Sequence, residues 1–132
     1  MQYGSPPRPS QPRTWSRKFA DAFRGLSRAV RSQSSFAVHI WMAVAVVLVA
    51  AVLRVSPVEW CLLVAAIGFV LVAELFNTAI ESLARAVDTR RHPRLRDALD
   101  TASGAVLASA AVAVVIGLVV FGHRFGQLWR FW

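Results

Sequence analysis

The sequence predicts an all-α integral membrane protein, built from an N-terminal amphipathic surface helix and three transmembrane helices. Three observations carry that reading. Apolar residues collect into three runs long enough to cross a bilayer, lysine and arginine flank those runs, and a basic, aromatic-rich stretch at helical spacing precedes the first. Hydrophobic residues make up 56% of the chain and mean hydropathy is +0.50, too apolar for a soluble domain of this size. The net charge of +8 could point to nucleic acid. No groove-reading motif accompanies it, and the charges border apolar runs, as topology determinants and contacts to anionic lipid do. Cys61 is the single cysteine, so neither a disulfide framework nor a cysteine-rich zinc site is available. The first apolar run follows a polar, arginine-rich lead, which is not the pattern of a cleavable signal peptide.

Taken in order, residues 1–14 read as a disordered tail, because Met1 to Arg13 holds four of the six prolines together with Gly, Ser and Gln. Residues 15–33 read as the surface helix. Trp15, Phe19, Phe23, Leu26 and Val30 recur at helical spacing, with Arg17, Lys18, Arg24, Arg28 and Arg31 on much of the remaining surface. Such a helix belongs in the membrane interface, and the alternative is that its arginines reach phosphates. The spans are expected at about 36–53, 58–87 and 100–121, joined by a short turn holding Arg54, Pro57 and Glu59 and by a polar loop from Asp88 to Asp97. The second run is about 45 Å long as a helix, so it crosses the lipid and projects beyond it. The third is rich in Ala, Gly and Ser, a composition that lets helices approach closely in lipid and points to an oligomer. Residues 127–132 form a short external tail.

Lysine and arginine number seven before the first span, one in the first loop, five from Arg85 to Arg96 and two after the last span. That excess places the N-terminus and second loop in the cytoplasm and the C-terminus outside. Trp41, Trp60, Trp129 and Trp132 fall near the expected interfaces, as an aromatic belt does.

The chemistry concentrates in Glu74-Leu-Phe-Asn-Thr-Ala-Ile-Glu81, at the cytoplasmic end of the second span. Glu74, Asn77 and Glu81 share one helical stripe, with the two carboxylates roughly 10 Å apart along it. Ionisable groups in a membrane segment are costly and mark functional sites. No GxxxxGK[ST] loop, GxGxxG or HExxH occurs. Acids, an amide and arginines can run phosphoryl transfer, with Mg²⁺ held by one or two carboxylates and the phosphates and a base on the acceptor hydroxyl. Two other readings of the same residues stand beside it: an ion-coupled transporter, and a hydrogen-bonded pair at an oligomer interface.

This stretch resembles the E-x-x-N-[ST]-A-I-E motif of the small prokaryotic diacylglycerol kinase family, which includes undecaprenol kinases. The resemblance runs from about Phe19 to Phe121, taking in Gly25-Leu26, Phe36, His92, Asp100 and Ser103-Gly104-Ala105-Val106. It implies a homotrimer of three-span subunits in the bacterial cytoplasmic (inner) membrane, with residues 15–126 as the lipid-kinase domain. The implied reaction uses MgATP to phosphorylate a lipid hydroxyl, converting diacylglycerol to phosphatidic acid; undecaprenol is the alternative acceptor. Phe36-Ala-Val-His39 and His92-Pro93 look more like the undecaprenol kinase branch.

Carried over, Glu74 is the expected general base and Asn77 organises the site. Glu81 is the metal ligand and also faces the nucleotide, for which Arg24, Arg96 and Asp100 are further candidates. Glu74 and Ser103 are the expected contacts to the lipid. Three positions depart from the family pattern. Gln33 stands where a metal-binding Glu is usual and offers a neutral oxygen, which weakens divalent-ion binding. Arg85 replaces an Asp. Leu99 replaces a Lys, for which Arg96, one turn earlier, can substitute. A family member with reduced activity is therefore a further alternative.

Overall fold

The computed structural model describes residues 14–32, 34–87 and 92–129. These form four helices: α1 (Trp15–Ser32), α2 (Ser34–Val52), α3 (Pro57–Val87) and α4 (Pro93–Trp129). Three of them, α2, α3 and α4, are long and apolar enough to cross a membrane. Side chains such as Trp41, Phe69, Leu107 and Leu118 stand exposed along them, as they do in a bundle whose apolar surface faces lipid or further subunits. The most extensive packing is between α3 and α4, with α2 against α3 and α1 touching both α2 and α3.

The α2–α3 corner is built from its sequence with little freedom. Arg54 adopts a left-handed backbone (φ 49°). Its N–H reaches the Ala51 carbonyl at 3.2 Å, and the Val55 N–H reaches the Ala50 carbonyl at 3.2 Å. This is the Schellman pattern, and the apolar contact that accompanies it is present, because Ala50 and Val55 are buried in one cluster with Leu63 and Val120. Ser56 and Glu59 then form a capping box around Pro57, which opens α3. The Ser56 N–H donates to Glu59 Oε2 at 2.6 Å and the Glu59 N–H to Ser56 Oγ at 3.3 Å. Glu59 Oε2 also accepts from Arg124 Nε at 2.8 Å and Nη2 at 2.6 Å, and His123 Nδ1 lies 3.3 Å from Oε1. The corner is thereby tied to the far end of α4. Trp60, expected in an aromatic belt, packs partly buried against this cluster, whereas Trp41 and Trp129 are exposed. Trp132 lies outside the described residues.

Glycine is the residue that adopts φ near +50° without steric cost, so Arg54→Gly should raise stability by about 0.5–1 kcal/mol. Thermal or denaturant unfolding in detergent reads this directly, and a loss of stability would contradict it.

Two boundaries differ from the expectation. The stretch Asp88–Asp97, read as a polar loop, is helical from Pro93 onward, and the helix then runs through the third span to Trp129, beyond the expected end at residue 121. Proline fits the first position of a helix, where its missing N–H has no partner to lose, and the His92 carbonyl accepts the N–H groups of Leu95 and Arg96 at 3.0 and 3.2 Å. At 37 residues, α4 is about 55 Å long, well beyond a hydrocarbon core of about 30 Å, so its charged first turns need not enter lipid. The expected limits of the other spans, 36–53 and 58–87, fall within a residue or two of the helix ends.

Candidate active site

The stripe on α3 is buried in its upper part. Glu74 is 2% exposed and Asn77 8%, the two buried polar side chains among the described residues. Burial of a carboxylate and an amide in an otherwise apolar helix is costly unless each is hydrogen-bonded, and both are. Ser35, in the first turn of α2, donates its hydroxyl to Glu74 Oε1. Asn77 Nδ2 donates to Glu81 Oε1 at 3.1 Å, and Ser103 of α4 reaches Asn77 Oδ1 in a long 3.5 Å bond. Two helices thus reach successive turns of α3, α2 at Glu74 and α4 at Asn77, and the amide of Asn77 continues the row along α3 itself to Glu81.

Glu81 is nearer the open end. Its side chain is 31% exposed and Arg85 Nη2 lies 4.0 Å from Oε2. The site therefore grades from a dry carboxylate at Glu74 to a wet one at Glu81, beside a cation. The dry carboxylate has one hydrogen-bond partner among the described residues, a hydroxyl, and is suited to accept a proton from a group brought to it through the apolar layer. The wet one can meet a charged, water-soluble ligand.

Of the other residues singled out in the sequence, Ser103 joins the site through Asn77. Arg24 pairs on its own helix with Asp21 at 3.1 Å, and Arg96 with Asp100 at 3.8 Å, both exposed. No bond among the described residues links Arg24, Arg96 or Asp100 to the stripe, although all are on the surface and accessible to a ligand. Gln33 lies outside the described residues.

Two residues escaped the sequence reading. Ser35 stands 39 positions from its partner Glu74, a separation no helical period reports. Thr78, inside the motif, places a buried Oγ1 with no hydrogen-bond partner. The available signal was its spacing, i+4 from Glu74 and i−3 from Glu81.

A family model described as prokaryotic diacylglycerol kinase matches residues 20–121. The chain is 33% identical over 105 residues to a protein of Bacillus subtilis named undecaprenol kinase, covering 80% of this chain and 85% of that one. It is 35% identical over 100 residues to a Synechocystis protein named diacylglycerol kinase, covering 75% of this chain and 57% of that one. Similarity to the Escherichia coli protein named diacylglycerol kinase is 27% over 105 residues, 80% of this chain and 86% of that one.

Proposed function

The chain belongs to the prokaryotic diacylglycerol kinase family, and on that premise we propose that it is a lipid kinase passing the γ-phosphate of ATP to a lipid hydroxyl at the membrane surface. The observation that carries the proposal is the buried carboxylate of Glu74, two turns of one helix away from the half-buried carboxylate of Glu81, with Asn77 between them bonded to Glu81. A lipid hydroxyl arriving through the apolar layer meets Glu74. A nucleotide arriving from water meets Glu81 and the arginines at the same end.

In this reading Glu74 takes the proton of the lipid hydroxyl as it attacks the γ-phosphorus, and Ser35 holds the carboxylate in place. Asn77 fixes Glu81 and, through Ser103, the approach of α4; Ser103 also faces the acceptor lipid. Arg24, Arg96 and Asp100 border the nucleotide. Mg²⁺ is commonly held by one or two carboxylates together with substrate phosphates. Among the described residues no group of three or more His, Cys, Asp or Glu could hold a metal, but the half-buried Glu81 with nucleotide phosphates is a donor set that suits Mg²⁺. When bound there, the ion would offset negative charge on the phosphates. Gln33 remains a second, neutral ligand candidate on sequence grounds.

The same reading takes the chain as residues 15–126 of a kinase domain between two short tails, assembled as a homotrimer in the bacterial inner membrane. Its α1 lies in the cytoplasmic interface with Trp15, Phe19 and Phe23, all exposed, inserted toward lipid. The arginine distribution supports an N-terminus inside and a C-terminus outside.

Diacylglycerol is the proposed acceptor and phosphatidic acid the product. Undecaprenol is a second reading, favoured by the similarity to the Bacillus subtilis protein and by the short matches at Phe36 and His92. Purified protein given radiolabelled ATP, Mg²⁺ and each lipid in mixed micelles separates them. Labelled phosphatidic acid is the expected product. Labelled undecaprenyl phosphate alone would select the second acceptor, and the absence of lipid-dependent transfer would refute both.

A further inference from the structure

Thr78 carries an unmet hydrogen-bonding group inside the machinery proposed above, and this inference rests on that reading. A threonine within a helix ordinarily satisfies its hydroxyl on a carbonyl of the preceding turn. The protein does this elsewhere: Thr101 Oγ1 donates to the Asp97 carbonyl at 2.7 Å, and Ser109 Oγ to the Val106 carbonyl at 2.8 Å. Thr78 does not, and its Oγ1 is the one buried side-chain polar atom without a partner among the described residues. An unpaired hydroxyl away from water is costly, so a group present only in the working complex is the natural partner.

Helical geometry says what that group is. At about 100° per residue, Thr78 projects about 40° to one side of Glu74 and Asn77 about 60° to the other, so amide and hydroxyl flank the row of carboxylates. Along the axis Thr78 lies about 6 Å below Glu74 and about 4.5 Å above Glu81. The acceptor hydroxyl belongs at Glu74 and the nucleotide at the Glu81 end, so what passes the level of Thr78 is the phosphoryl group itself. We propose that the Thr78 hydroxyl donates a hydrogen bond to a non-bridging oxygen of the phosphoryl group in transit.

The step balances without Thr78 changing protonation. The lipid oxygen forms a bond to the γ-phosphorus, and the bond from that phosphorus to the β,γ-bridging oxygen breaks. Its electron pair leaves with ADP, and the lipid hydroxyl proton goes to Glu74. Charge builds on the equatorial oxygens of the phosphoryl group as it moves, and a fixed neutral donor stabilises that charge beside two carboxylates that would otherwise repel it.

The test compares Thr78→Val, which keeps the branched shape and loses the hydroxyl, with Thr78→Ser, which keeps the hydroxyl. Steady-state rates with MgATP and diacylglycerol or undecaprenol are measured beside thermal unfolding of the protein without ligands. The expected result is a kcat lower by about tenfold or more in Thr78→Val, with KM for ATP and lipid within about twofold and an unfolding midpoint equal to or above that of the unsubstituted protein. Thr78→Ser should restore most of the rate. An unchanged kcat, a rise confined to KM, an unfolding midpoint that falls together with the rate, or a failure of serine to rescue would each overturn the assignment while leaving the kinase reading intact. No lipid-dependent turnover by the unsubstituted chain would overturn both.

Discussion

Glu74→Gln should reduce lipid phosphorylation by about 10²–10⁴-fold, the range that a positioned general base contributes. The substitution separates chemistry from structure unusually well at this position. Gln keeps the length of the side chain and an oxygen that can still accept from the Ser35 hydroxyl, so the tie between α2 and α3 persists in a site that is 2% exposed. What disappears is the capacity to take the proton of the attacking hydroxyl. Initial rates at saturating MgATP and lipid, with size-exclusion chromatography confirming unchanged assembly, read the two effects apart. A variant with the full rate would remove Glu74 from the role of base and return the stripe to its structural reading.

Glu81→Gln should cost about 100-fold in rate and, unlike a variant with weakened ion affinity alone, should not recover as Mg²⁺ is raised through the millimolar range. Glu81 lies on the exposed side of the stripe, at 31% exposure, with Arg85 4.0 Å away. Asn77 can donate to a glutamine oxygen as it does to the carboxylate at 3.1 Å, so the local hydrogen bond survives. The negative charge does not, and a hard divalent cation selects anionic oxygen over amide oxygen. Arg85 would also lose the charge it faces and stand as an uncompensated cation beside the phosphates. Rate measured against Mg²⁺ concentration checks this. A Mg²⁺ dependence and maximal rate like those of the unsubstituted protein would show that Glu81 does not hold the ion.

The sequence by itself determined the helical class, the three membrane-length segments and the row formed by Glu74, Asn77 and Glu81. Each is a local property: hydropathy integrates over about twenty adjacent residues, and a helical stripe needs only the 3.6-residue period. The ends of α2 and α3 were legible for the same reason, since Arg54, Ser56, Pro57 and Glu59 act on the backbone within a few residues of themselves. The early start of α4 was hidden by its own composition. His92, Pro93 and the arginines look like a loop, but proline at a first helical position favours the helix that follows.

Only the tertiary structure decided what the stripe touches. Ser35 meets Glu74 across 39 residues, Ser103 meets Asn77 across 26, and Arg124 meets Glu59 across 65. No periodicity connects such positions, because their proximity depends on how helices pack rather than on how one helix turns. The same holds for Thr78. Its place beside the stripe was readable from spacing, but the absence of a partner for its buried hydroxyl is a matter of where the folded side chain sits, which no spacing reports.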